Sequence, residues 1–301
     1  MAPSAESHLL APPFGLSPGN DARLLGFLKD EDWASAMTVL RDELGAERKN
    51  GKLLVLLAHC RFRDAQETMS DHRLAACQEA LGLLDQAGDA GFPYDALMPF
   101  REQVETTLAE ETAHELEVLA KLPAPGQPLQ SVDVETLEEA GYLLWEREPL
   151  RAAELFHEAA ERVKAKSGLR GFHLELQSGR CLAHGGAFER AKPVLELALS
   201  ISLETEGLST LRASLESAAA ALLEHASGDE FRAVWALAAE RGRALGFEFP
   251  AVWPNQEALL TRCLAVGERA LARQVARTIE DGRPVLSRAL EARLRSVRAE
   301  A

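Results

Sequence analysis

The chain has 301 residues, of which 47% are hydrophobic but only 6% aromatic, and it carries a formal net charge of −14. That length accommodates either one elongated repeat domain or two globular domains, each with a core large enough to fold by itself. The acidic balance argues against nucleic-acid binding, since a phosphate backbone is repelled over most of such a surface, and no stretch approaches the roughly 18 apolar residues that a membrane span needs.

The first segment, MAPSAESHLLAPPFGLSPGN, lacks the basic start and long apolar run of a secretory signal. Its four prolines predict an extended or disordered arm over 1–19, with Leu9, Leu10 and Phe14 as candidates to clamp it. Beyond it, Ala, Leu, Glu and Arg dominate, strong helix formers with few β-branched or aromatic residues between them. Gly and Pro punctuation predicts helices at about 20–29, 32–45, 50–66, 71–87 and 93–121 in an N-terminal half. The one solid apolar run, at 52–58, is readable as buried helix rather than strand. LPAPGQPLQS at 122–131 holds three prolines and reads as a linker or joint. Helices at about 133–147, 149–166, 169–184, 187–203, 206–226, 229–245, 255–265 and 268–280 follow. A final amphipathic helix is expected within 283–301, with Val285, Leu286, Leu290, Leu294 and Val297 on one side. Nine arginines against five acids from Arg262 onward make that end basic, at about +4 on a body of about −18. This asymmetry would serve homo-oligomer formation or an acidic partner, although a solvated helical face carrying Arg is the commoner explanation. Cys60, Cys77, Cys181 and Cys263 stand singly and read as reduced core residues of a soluble, cytoplasmic protein.

Two helix pairs match at a displacement of 38 residues: Gly141, Leu144, Leu150, Ala153 and Ala160 against Gly179, Leu182, Phe188, Ala191 and Ala198. A small residue on each helix lets two backbones approach, and a large apolar residue three before the central Ala is expected to wedge the turn against the core. GYLLWEREPLRAAELFHEAA and GRCLAHGGAFERAKPVLELA resemble tetratricopeptide repeats. Trp33, Ala36 and Leu40 extend the likeness to the first pair and Phe231 to a later one, while Leu74, Cys77 and Leu81 fit with an insertion in the preceding turn. No pair ends with the proline the family often carries, and the helix at 93–121 has no obvious break. The resemblance implies an all-α fold, an α-solenoid of antiparallel helix pairs with about 12 to 14 helices, in which 132–282 holds the repeats, clearest over 133–203 and degenerate elsewhere, and 283–301 the cap. It also implies a concave groove lined by the first helix of each pair. Carried over by offset, the groove residues are Glu135, Glu138, Tyr142, Trp145 and Glu146, then His173, Leu176, Arg180 and His184. That makes an acidic, aromatic half and a basic, histidine-bearing half, suited to an extended segment of another protein; packing within the fold is the alternative role for Tyr142 and Trp145.

Enzymatic motifs are missing: no GxxxxGK[ST], GxGxxG, GxSxG, HExxH or paired CxxC occurs. Glu111-Thr-Ala-His114 and Glu154-Leu-Phe-His157 each place a carboxylate and an imidazole on one helical face, as a di-metal carboxylate site requires, with Glu79 and Glu138 or Glu139 to complete it. Cys181 with His184, and His59 with Cys60, are fragments of a zinc site at most. Glu110, Glu111, Glu115, Glu117, Asp133, Glu135, Glu138 and Glu139 form an acidic stretch around the prolines, by default a solvated face. The expected function is therefore a scaffold or adaptor binding another protein or peptide, with no catalytic residues, metal or cofactor; a self-assembling subunit and a helical metalloenzyme are the alternatives.

Overall fold

Fourteen α-helices and no strand occur among the described residues of the computed structural model, which are 14–16, 19–46, 50–67, 73–200, 208–252, 255–282 and 286–299. They group into two compact units, one within Met1–Glu117 and Pro284–Ala292, the other within Val118–Arg283 and Arg293–Ala301. No helix among them is long and apolar enough to cross a membrane.

The first unit holds α1 (Asn20–Lys29), α2 (Trp33–Ala46), α3 (Gly51–Glu67), α4 (Arg73–Asp89) and most of α5 (Tyr94–Ala120). The apolar run lies in α3, where every residue from Leu53 to Cys60 is buried. His59 is enclosed there between Trp33 and Phe100, with ring centroids 6.0 and 5.5 Å away. Most of the N-terminal arm, Leu9 and Leu10 included, lies outside the described residues. Phe14 is buried, and the N–H groups of Phe14 and Leu16 donate to Asp21.

The second unit holds α6 (Val134–Leu144), α7 (Pro149–Val163), α8 (Gly168–His184), α9 (Phe188–Ser200), α10 (Leu208–His225), α11 (Gly228–Ala244), α12 (Asn255–Ala265) and α13 (Arg269–Gly282). Local chemistry sets the starts: Asp133 and Ser167 accept the N–H of Thr136 and Arg170, and Pro149 opens α7, where its missing N–H costs nothing. Consecutive helices from α6 to α11 pack on one another, α12 packs on α13, and α8 also meets α10 as α10 meets α12. The first helices α8, α10 and α12 are thus direct neighbours. The segment 122–131 is tied down by arginines of α7: Arg151 donates to the Pro123 carbonyl at 3.1 Å, and Arg162 to those of Leu129 and Val132 at 2.7 and 2.6 Å.

The two matching pairs share their packing logic. A Cβ on Gly141 would lie 2.8 Å from Cζ of Phe156, and one on Gly179 would lie 2.9 Å from Cγ1 of Val194, the residue 38 positions after Phe156. Ala153, Ala160, Ala191 and Ala198 are all buried at the corresponding contacts. The wedge residue behaves differently from the sequence expectation. Leu150 is 44% exposed and rests on Gly185 at the end of α8. Phe188 likewise stacks on His225, the last residue of α10, with centroids 4.2 Å apart. Each therefore braces the end of the next pair's first helix, because the turn that carries it stands outside its own pair's core.

Ion pairs repeat the same displacement. Arg41–Glu79 and Arg73–Glu111 in the first unit and Lys192–Glu230 in the second each join side chains 38 positions apart. The C-terminal α14 (Arg288–Ala299) buries Leu290, Leu294 and Val297; Val285 lies outside the described residues. Its arginines are partly engaged within the chain, Arg288 with Asp42 and Glu43 in the first unit and Arg298 with Glu280 in the second.

Gly141→Ala is expected to destabilise the protein by about 1–2 kcal/mol, overpacking against a buried ring (~1–3 kcal/mol) outweighing the helix-propensity gain of up to ~1 kcal/mol. Gly82→Ala, in a helix with nothing within 4 Å of the added Cβ, is expected to stabilise by about 0.5–1 kcal/mol. Urea midpoints of the two variants check the opposite signs.

Candidate interaction groove

Alanine leaves room where a larger residue would fill it, and the first helices from α8 to α12 carry alanine on one shared side. Ala183 of α8, Ala220 and Ala221 of α10, and Ala258 and Ala265 of α12 line an open groove of about 920 Å³. Trp145, Arg180, His184, Glu224, His225, Thr261 and Arg262 contribute polar or aromatic lining.

Two buried arrangements hold the walls in place. Glu216 on α10 is fully buried, and its two carboxylate oxygens accept the N–H groups of Ala251 and Val252 at 2.7 and 2.6 Å, in the segment leading to α12. Burial pushes its carboxyl above the usual range, against the opposing pull of those two N–H groups and of Arg212. Arg262 of α12 donates to the carbonyls of Leu223 and Ala226 at 3.0 and 2.8 Å, satisfying acceptors that the end of α10 leaves open.

Of the residues assigned by offset, Trp145, Arg180 and His184 line this groove. Trp145 stands just past the end of α6, with the Arg180 guanidinium 4.7 Å from its ring centroid. Arg180 also donates to Oε1 of Gln177 at 2.9 Å. A guanidinium can only donate, so the Gln177 amide nitrogen faces His173, 3.1 Å from Nε2, and makes that nitrogen an acceptor. The Tyr142 hydroxyl lies 3.3 Å from the same nitrogen, and its ring packs edge-on against Phe156. The proton of the neutral imidazole then resides on Nδ1, which is buried and meets no hydrogen-bond partner among the described residues. Burial lowers the His173 pKa, with Glu138 opposing and Arg180 assisting.

Glu138 accepts from Arg170 at 2.7 Å, and Glu135 forms an ion pair with the same guanidinium at 3.6 Å. The acidic half expected from the sequence is therefore paired across α6 and α8 rather than presented as a bare field. Glu146 is exposed in the turn after α6, outside the groove lining. Leu176 is corrected outright: it is 1% exposed and belongs to the core, and Gln177 takes the place the offset assigned to it, between His173 and Arg180. The contributions of α10 and α12 were not among the sequence candidates. The alanine run in ESAAAALLEH at 216–225, on the first helix of its pair, is the signal that marks them.

Little of the metal chemistry suggested by spacing takes shape as expected. Glu111 pairs with Arg73, while Glu154 and His157 belong to the other unit. Burial pushes the thiols of Cys60, Cys181 and Cys263 up to about 12, which withholds the thiolate that a zinc ligand or nucleophile needs. His184 is exposed while Cys181 is buried, so the two do not form a fragment of a site. In comparisons with known proteins, no family model, no curated protein and no solved structure matches this chain.

Partly buried His173 and fully buried Glu216 predict pH effects of opposite sign. His173 has a folded pKa below its ordinary 6.5, so its contribution is present above that pH and is lost as pH falls through the folded value. Glu216 has a folded pKa above its ordinary 4.5, so its contribution is present below that pH and is lost as pH rises through the folded value. Denaturant midpoints across pH are expected to show the first slope vanish in His173→Gln, and the second in Glu216→Gln.

Proposed function

We propose that this chain is a tetratricopeptide-like adaptor, an α-solenoid that receives an extended segment of a partner protein in the groove between α8, α10 and α12. The observation that carries this reading is the groove itself: about 920 Å³, lined by the first helices of consecutive pairs and by Trp145. The resemblance at 141–198 supports it, because first helices face the binding side in that family. The chemistry is also that of recognition. A stacked Trp–Arg pair offers a large, rigid contact face of the kind enriched at interaction hot spots. The alanines let a partner backbone come close, while Glu224, Thr261 and the histidines offer hydrogen bonds for register. The thiols are held protonated, and among the described residues no hydrogen bond joins a hydroxyl or thiol of the groove lining to a histidine or carboxylate side chain, so binding rather than turnover is the proposed role, in a cytoplasmic setting.

The test is capture of proteins from an extract of the source organism on the immobilised full chain. Trp145→Ala is expected to weaken capture of the partner at least tenfold, an aromatic anchor being worth about 2 kcal/mol. Ala221→Arg, which fills the groove, is expected to abolish it. Leu197→Ala, at an exposed position outside the groove, should leave capture intact. Equal capture by the wild type and both groove variants, all with the same helical circular dichroism, would remove the groove from consideration.

A further inference from the structure

His157 and Glu161 stand one turn apart on the exposed side of α7, and Glu175 reaches toward them from α8. One ligand atom from each lies within 4.8 Å of the others. His157 Nδ1 is already 3.1 and 3.2 Å from the two oxygens of Glu175. In a tetrahedral zinc site with bonds near 2.0–2.1 Å, ligand atoms sit about 3.3 Å apart. The histidine and Glu175 therefore stand at zinc-ligand separation, and Glu161 needs only a change within the reach of its own side chain.

We propose that these three residues bind one zinc ion, with the fourth position left to water, as a staple across the joint between the second helix of one pair and the first helix of the next. The donor set selects the metal. An imidazole nitrogen with two carboxylates suits zinc, whereas magnesium and calcium favour all-oxygen sites. Two carboxylates and a neutral imidazole supply the negative field a dication needs. The competing cation is Lys164, which pairs with Glu161. That pair is half exposed, and exposed ion pairs are easily exchanged. On binding, Nδ1 gives up the proton that it donates toward Glu175, to Nε2 or to water, and the freed lone pair goes to the metal. The joint is rigid enough to hold such a site: Ser178 donates to the Ala153 carbonyl at 2.8 Å, and Gly171 sits against the backbone of Lys164. The Glu154-x-x-His157 spacing read from the sequence shares only His157 with this set, and a zinc ion here would replace the expectation of no metal.

The experiment is calorimetric titration of zinc chloride into the full chain stripped with a chelator, with thermal unfolding measured in parallel. One zinc per chain is expected, with a dissociation constant on the order of micromolar and a rise in Tm on loading. His157→Ala and Glu175→Gln are each expected to weaken binding at least tenfold and to remove the Tm rise, while far-ultraviolet circular dichroism stays unchanged because the side chains lie at the surface. Excess magnesium is expected to leave zinc affinity unaltered. Absence of binding at about 1 mM zinc, undiminished binding in both variants, or displacement of zinc by magnesium would each overturn the proposal.

Discussion

Two helix backbones can come close only where no side chain stands between them, and this constraint organises the second unit. Gly141 receives the ring of Phe156, and Gly179 receives Val194 at the equivalent position. The buried alanines of α7 and α9 complete each contact. With the members of each pair set tightly, the turns project Leu150 and Phe188 outward onto the end of the next pair's first helix. Neighbouring first helices, α8 with α10 and α10 with α12, then meet directly, and the groove exists because their shared side is small.

Polar groups hold this arrangement in register more than they stabilise it. The ion pairs are mostly exposed and worth about 0–1 kcal/mol each, whereas burial of a Leu or Phe side chain contributes about 1.5–3 kcal/mol. Glu216 is the exception by location, since a carboxylate taken fully out of water must be met by donors. Ala251 and Val252 supply two, and the chain entering α12 is thereby fixed beside α10.

Much of the fold was legible because helix periodicity and Gly/Pro punctuation are local. The starts expected at 133, 149 and 169 fall within one residue of those observed, at Val134, Pro149 and Gly168, although the helix expected over 133–147 ends at Leu144. The groove was harder to read. His173 and Arg180 are seven apart, and both the third and the fourth residue between them suit a period of 3.6; choosing Gln177 over Leu176 needs the neighbouring helix. A further step of 38 from Gly179 reaches Ser217, still small, but the same step from Phe188 reaches Ala226, with Phe231 five residues later. The match does not continue at this displacement, so offsets from the first two pairs do not find α10 and α12. Glu175 was invisible as a companion of His157 for the same reason, since spacing along one helix says nothing about what the next brings across.

The ion pairs between residues 38 apart set a condition on any periodicity at that step. Partners separated by one full period occupy the same offset, so an exact copy would bring two like charges together there. The opposite signs of Arg41 and Glu79, and of Lys192 and Glu230, are what make these contacts attractive. The 38-residue match of the apolar positions can therefore be close to identity, whereas the charged positions at the same step must alternate in sign.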